Sequence, residues 1–506
     1  MTSPWRVLQV GCGPSGVSLL RQLLPRLAQA GTEVRLDVCD PAEAGPGPGL
    51  AFSTPYDLHL LNVRADLMSL DADDKGEFAR WRAGLAGRPP GGAGPSTGGA
   101  AAGRDDEDYP PRRLFGDYAR TVLADTLRTA RAAGQRVEVS AERAVALWPA
   151  GAGTWRCRFA SGRSAAYQTV ILALGHLPSR RYSPAEGGPS FFASPWGELA
   201  VDSAHTVGIV GTRLTGIDAA LALRERGHVG PIVMASRSGR LPSIKGRVAP
   251  AELRVLPRFV RGHDTGTATL RQVAEVIGQE IEYAEERPID WTAALHPPPT
   301  TTAELRRGLE AVDAPWQAVL FAIVRWVPEL WRILNPPGRD LFMSSYLSLW
   351  AGRIASFPAI TARRLLTMMD SGQLTVRGGL TAIEPAGGRH RMRFADGGPL
   401  GADVVINATG PGFGPDSLAA NPVTAHLLRT GVVVPHRHGG IAVDLHTLEV
   451  TDARGRPRRG LHAIGDLTRG EFLATNAVEN TVRQSVQLAE VLTRQLARPA
   501  GRTARP

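Results

Sequence analysis

Residues 6–10 (RVLQV) form a short apolar run that ends at a glycine, and behind it Val17, Leu20, Leu23, Leu24 and Leu27 recur at the spacing of one helix face. A second apolar run at 34–39 closes a strand–helix–strand unit, the repeating piece of a parallel sheet. The grammar then restarts. An apolar run at 169–174 ends in Gly175, another at 206–210 opens onto a second glycine-bearing turn and helix, and a third follows at 231–235. Residues 302–370 have helical periodicity and carry Trp316, Trp326, Trp331 and Trp350, which read first as core and second as a lid over a substrate. β-like runs return at 374–383 and 404–407, and a last strand at 461–464 leads through Gly465-Asp466 to a helix over 477–496. This order predicts an α/β fold in which a Rossmann-like first domain is interrupted by a second nucleotide-binding unit and a helical segment.

The expected boundaries are 1–198 for the first part of the leading domain, 199–300 for the inserted domain, 301–372 for the helical insertion or lid, and 373–506 for the return of the leading domain. Residues 87–108 are rich in Gly, Pro and Ala and almost devoid of large apolar groups, so they read as a flexible surface insertion.

The formal charge of +10 raises nucleic acid or an anionic membrane as a partner, but all but two of the 58 basic residues are arginine, and no block of like charge appears. That pattern reads as compositional bias, with no nucleic-acid and no membrane partner expected. Cys12, Cys39 and Cys157 are dispersed, which gives neither a disulfide framework, nor a redox pair, nor a metal site. No basic, apolar leader is apparent before the first strand, and the apolar stretch 316–327 is interrupted by Arg325 and too short to span a bilayer. The expected location is the cytoplasm.

Gly11-Cys12-Gly13-Pro14-Ser15-Gly16 is a G-x-G-x-x-G motif placed where a strand becomes a helix. Gly11 permits the tight turn, Gly13 lets a diphosphate approach the backbone, and Gly16 allows close helix packing, while the helix N-terminus offers amides and a positive dipole. Asp40 ends the next strand, where a carboxylate can accept hydrogen bonds from an adenosine ribose. A second turn, Gly211-Thr212-Arg213-Leu214-Thr215-Gly216, has arginine at the middle glycine position, so it is either a nicotinamide-nucleotide site or a structural turn. Arg237 after the following strand favours a 2′-phosphate and hence NADPH; the alternative is a solvated surface arginine.

Further segments bear on which dinucleotide the first turn holds. Asn62 and Val63 lie where the chain could run beside a flavin, Asp466 could bind a ribityl hydroxyl, and the last helix starts near Thr475 and Asn476, where its dipole would face the flavin O2. Gly175 and Gly410 end apolar strands as candidate crossovers, and His176 beside the first of them is a weak acid/base candidate against a structural role.

GCGPSG at 11–16, GPGLAFS at 47–53, HLLNV at 59–63, RRLFGDY at 112–118, LALGH at 172–176, GTRLTGID at 211–218, SRSGRLP at 236–242, INATG at 406–410 and GD at 465–466 together resemble the bacterial FAD/NAD(P)-binding flavoproteins related to class B flavin monooxygenases. That group contains nitrosuccinate synthase-like N-oxygenases. The resemblance implies a two-dinucleotide-binding flavoprotein with FAD on the leading domain and NADPH on the inserted one. It implies a monooxygenase of specialised metabolism that uses molecular oxygen to oxygenate the amine nitrogen of a small molecule, an amino acid such as aspartate among them, through a C4a-(hydro)peroxyflavin. Arg213 departs from the glycine usual in the family. The alternatives are an FAD-dependent oxidase or dehydrogenase without oxygen insertion, and a non-catalytic, redox-responsive flavoprotein; a homo-oligomer is left open.

Overall fold

The computed structural model describes residues 4–86, 108–151, 153–182, 190–197, 199–247, 250–311 and 313–497. Two parallel sheets organise the chain. The first runs in the order 449–451, 457–463, 169–172, 5–10, 34–39 and 136–140, and only the edge strand Glu449–Thr451 is antiparallel to its neighbour. Its inner strands are buried on both faces, which explains why they read as unbroken apolar runs rather than alternating ones. Helix Pro14–Gln29 buries Val17, Leu20, Leu23, Leu24 and Leu27 as expected, and packs against the last helix, Val478–Leu496.

The second sheet is parallel throughout, in the order 374–377, 232–235, 207–210, 404–407 and 191–192. This corrects the expected return at 373. Strands Leu374–Arg377 and Val404–Asn407 pair with Ile232–Ala235 and Val207–Val210, so they complete the inserted sheet, and the chain rejoins the first sheet only from 449, through the edge strand 449–451 and the inner strand 457–463. A four-residue apolar strand carries no mark of its partner, and tertiary neighbours decide the pairing. The expected run 374–383 is two strands, parted where Gly379 takes φ +77°.

Each parallel sheet has a three-stranded antiparallel companion, at 144–167 for the first and 380–402 for the second. The two segments that cross between lobes pair with each other, through a bridge of Leu177 with Gly412 and a hydrogen bond of 2.8 Å from the Thr409 hydroxyl to Ser179 Oγ.

Helices begin earlier than expected, from Leu256, well inside the 199–300 segment. The 16-residue helix Leu270–Glu285 starts with a capping box between Thr269 and Gln272, a local signal that the apolar pattern alone had hidden. Residues 87–107 of the expected flexible insertion lie outside the described residues. Among the described residues no helix is long and apolar enough to cross a membrane.

Candidate functional site

The site grows from two copies of one turn. Gly11 ends strand Trp5–Val10 with φ +95°, and a Cβ there would lie 2.2 Å from the Ala173 carbonyl oxygen. A Cβ on Gly16 would stand 2.7 Å from the Gly11 oxygen, so the helix can seat on the turn only with glycine at 16. Pro14 occupies the first turn of that helix, and no side chain caps its N-terminus, which leaves amides for an outside acceptor. Gly13 behaves differently from expectation: the space on its Cβ side is filled by Gly49 Cα at 3.3 Å, so its bareness admits the 47–49 loop there.

The second turn repeats this geometry. A Cβ on Gly211, at φ +124°, would meet the Ala408 oxygen at 2.3 Å, and one on Gly216 would meet the Gly211 oxygen at 2.2 Å. Arg213 stands where Gly13 stands in the first turn, with φ −100° against −74°. Both are ordinary extended conformations, so the arginine costs no backbone strain.

Around the first turn the structure gathers Ser15, Gly465, Asp466 and Thr475. A Cβ on Gly465 would come within 3.1 Å of Ser15 Oγ, and the Gly465 amide donates to Gln484 Oε1 at 2.9 Å. Asp466 is buried; its Oδ1 accepts from the Thr475 hydroxyl at 2.9 Å. Its Oδ2 is also buried and has no hydrogen-bond partner. His176 Nε2 lies 3.2 Å from that oxygen, but the contact lacks hydrogen-bond alignment, and the geometry outweighs the distance. A buried, unsatisfied carboxylate oxygen is expensive and marks a place where a donor belongs.

Asp40 is already partly occupied: its Oδ2 accepts from the Cys12 amide at 2.7 Å and its Oδ1 from the Ala42 amide at 2.9 Å. It braces the glycine turn, with one acceptor position per oxygen remaining. Asn62 is half-buried, Val63 packs against the leading core, and Asn476 is exposed, just before the last helix. Gly175 and Gly410, at φ +62° and +83°, sit in the two crossing segments. The three cysteines are free and buried; burial pushes the Cys39 and Cys157 thiols up to about 12 and raises Cys12 too.

The second turn opens into a cleft of about 1080 Å³ lined by Gly211, Arg213, Arg237, Arg240 and Arg353 among others. Thr212 lines it as well, but its buried hydroxyl is engaged by Ser236 Oγ at 3.0 Å and the Arg240 carbonyl at 2.6 Å. Arg213 donates to Ser348 O at 2.6 Å and to Ser348 Oγ at 2.8 Å. Burial, then Arg237 and Arg469, lower the Arg213 pKa, and burial followed by Arg240 lowers that of Arg353. The cleft therefore concentrates positive charge that an anion would relieve.

One functional element escaped the sequence. Arg112 donates to Asp218 Oδ2 at 2.6 Å and, through Nε, to the Leu60 carbonyl at 3.0 Å, joining the leading lobe to the helix of the second turn. His59 adds to this latch, 3.0 Å from the Asp218 carbonyl and 2.6 Å from Thr54 Oγ1. Burial lowers the His59 pKa, Asp218 opposes that shift, and Arg112 reinforces it.

Comparison with known proteins agrees with this geometry. Residues 9–177 match the family model described as FAD-NAD(P)-binding. An uncharacterised protein of Escherichia coli (strain K12), YdhS, is 24% identical over 330 residues, which take in 53% of this chain and 59% of that protein. The chain thus matches less than two thirds of that curated relative's length. The fold is that of ornithine hydroxylase from Pseudomonas aeruginosa, with a TM-score of 0.53 at 13% identity over 97% of this chain and 99% of that one. A bacillithiol disulfide reductase from Staphylococcus aureus has it too, with a TM-score of 0.51 at 11% identity over the same shares.

Proposed function

We propose that this chain is an FAD- and NADPH-dependent oxidoreductase, a single-component monooxygenase that oxygenates an amine nitrogen. The observation that carries the reading is the buried, unsatisfied Asp466 Oδ2 beside the uncapped glycine turn, which a ribityl hydroxyl would complete. In this reading the leading lobe holds FAD and the inserted lobe NADPH. When bound, the flavin accepts hydride and activates oxygen; the protein binds, orients and excludes water.

The Ser15 and Gly16 amides, behind a Pro14 that has no N–H to give, would face the diphosphate, and Asp40 uses its remaining acceptor positions toward the adenosine ribose. Thr475 holds Asp466 in place through its 2.9 Å bond, and the start of the last helix lends positive potential to the flavin O2 end. His176 stands 3.2 Å from Asp466 Oδ2 without a hydrogen bond to it, and the reading gives it no acid or base role. Arg213 and Arg237 take the anionic end of NADPH, the 2′-phosphate going to Arg237.

We place the enzyme in the cytoplasm, where its three free thiols stay reduced, and in specialised metabolism, with a small-molecule amine as its substrate. The P. aeruginosa hydroxylase with this fold is named for an amine-bearing amino acid, which supports an amine substrate here. The disulfide reductase with the same fold keeps an oxygen-free reaction as the second reading.

The test is anaerobic bleaching of the flavin band with NADPH or NADH, followed by admission of air and an amine panel. Rapid bleaching by NADPH and formation of an N-hydroxylated product support the proposal. Substrate turnover without NADPH, with stoichiometric peroxide, refutes the monooxygenase reading.

A further inference from the structure

The helical segment encloses a second cavity, of about 730 Å³, bounded by helices Leu270–Glu285, Trp291–Leu295, Pro315–Val324, Val327–Ile333 and Leu347–Ile354. Its walls are overwhelmingly apolar, with Trp316, Trp331 and Trp350 as the largest faces. Two exposed large hydrophobic residues, Trp291 and Leu341, line it where it opens.

This chamber adjoins the cleft of the second turn. Trp316, Tyr346, Leu349 and Arg353 line it and the arginine cleft alike. On the other side its wall is Leu473, two positions before the Thr475 that holds Asp466. Leu473 has φ +57° and ψ −63°, and the Ala474 amide closes a three-residue turn onto the Phe472 carbonyl at 2.8 Å. Such a turn is rare and strained for leucine, and strain of this kind collects where a site needs a fixed shape. A π-helical turn at Phe342–Tyr346 interrupts the opposite wall, another feature frequent at functional sites.

The charges at the chamber are largely spent. Arg271 pairs with Glu275 at 2.8 Å and Arg287 with Glu285 at 3.1 Å, while Asp290 accepts from the Ala293 amide at 3.0 Å as the cap of its helix. Arg353, on the wall shared with the cleft, lies 5.3 Å from the centre of the Trp316 ring and has no ion pair among the described residues.

We infer that this chamber is the substrate site and that the substrate is an amine with a large apolar body lodged among the tryptophans. The inference rests on the proposed oxidoreductase reading for the word substrate, and on the cavity alone for the apolar body. Ligand pockets span roughly 300–1,000 Å³, so this chamber suits a molecule much larger than a free four-carbon amino acid, which would leave most of its apolar wall uncovered. Each methylene buried there should tighten binding roughly fourfold.

The test titrates the flavin-loaded protein with butylamine, octylamine and aspartate, following quenching of tryptophan fluorescence. Octylamine, four methylenes longer, should bind about two hundredfold more tightly than butylamine, with aspartate weaker than octylamine. Ala274→Trp, which narrows the chamber, and Leu349→Glu, which charges its wall, should each weaken octylamine by about tenfold or more in protein that retains flavin. A flat homologous series, or flavin-retaining variants that bind octylamine as the parent does, overturns the inference. So does a dimer whose interface covers Trp291 and Leu341. Anaerobic bleaching by NADPH on the same preparation separates the two claims: if bleaching fails while the series holds, the oxidoreductase reading falls and the apolar site stands.

Discussion

Asp218→Asn is the sharpest perturbation of the latch between the lobes. It keeps the shape of the side chain and removes the charge opposite Arg112, whose side chain is only 12% exposed against 8% for Asp218. Arg112 would then be left nearly buried with its Leu60 bond and no counter-charge. Breaking one half of a buried pair costs about 3–5 kcal/mol. Unfolding entropy of about 2 cal/mol/K per residue gives about 1 kcal/mol/K for a chain of this length, so the melting temperature should fall by about 3–5 °C. Arg112→Met should cost a similar amount. The double variant Arg112→Met/Asp218→Leu should recover much of it, because two well-packed apolar residues leave no stranded charge. Differential scanning calorimetry of the parent, Arg112→Met, Asp218→Leu and the double variant completes the cycle, with Asp218→Asn measured beside them. Additive losses, or an Asp218→Asn melting temperature within about 1 °C of the parent, would show that the contact holds nothing together.

Three further outcomes follow from the same geometry. Gly216→Ala puts a Cβ 2.2 Å from the Gly211 oxygen, so it should abolish the NADPH-dependent step while flavin remains bound, as read by bleaching. Arg237→Ala should cut the preference for NADPH over NADH by about tenfold to a hundredfold, the worth of a charge-assisted hydrogen bond, measured from the two bleaching constants. His436 is held down to about 4, by burial first and then by His438, Arg339 and Arg437, so near neutral pH it is uncharged and its 3.5 Å contact with Glu471, itself raised by burial, is no ion pair. The unfolded histidine takes its proton near 6.5, so stability from this group is complete above that pH and declines as pH falls toward 4. His436→Gln should flatten that part of the pH–stability curve.

The glycine turns could be read from sequence because their backbone tolerates nothing else: Gly11 and Gly211 combine positive φ with a carbonyl at van der Waals contact, and each forces a glycine five residues on. The pairing of Leu374–Arg377 and Val404–Asn407 could not, since a short apolar strand is equally suited to either sheet. Arg112 and Asp218 are 106 positions apart, and no local pattern ties a basic residue to an acid at that distance. The chamber escaped for a different reason. Trp316, Trp331 and Trp350 repeat as core residues do, and periodicity reports which face is apolar without saying whether another side chain or a cavity lies against it.

The measurement that bears most directly on the central claim is the stoichiometry and affinity of FAD for purified protein, titrated beside Gly11→Ala, in which a Cβ would meet the Ala173 carbonyl at 2.2 Å. The account predicts one FAD per chain for the parent and loss of tight binding in the variant. A colourless parent that takes up no flavin at saturating FAD, although folded by circular dichroism, would contradict it.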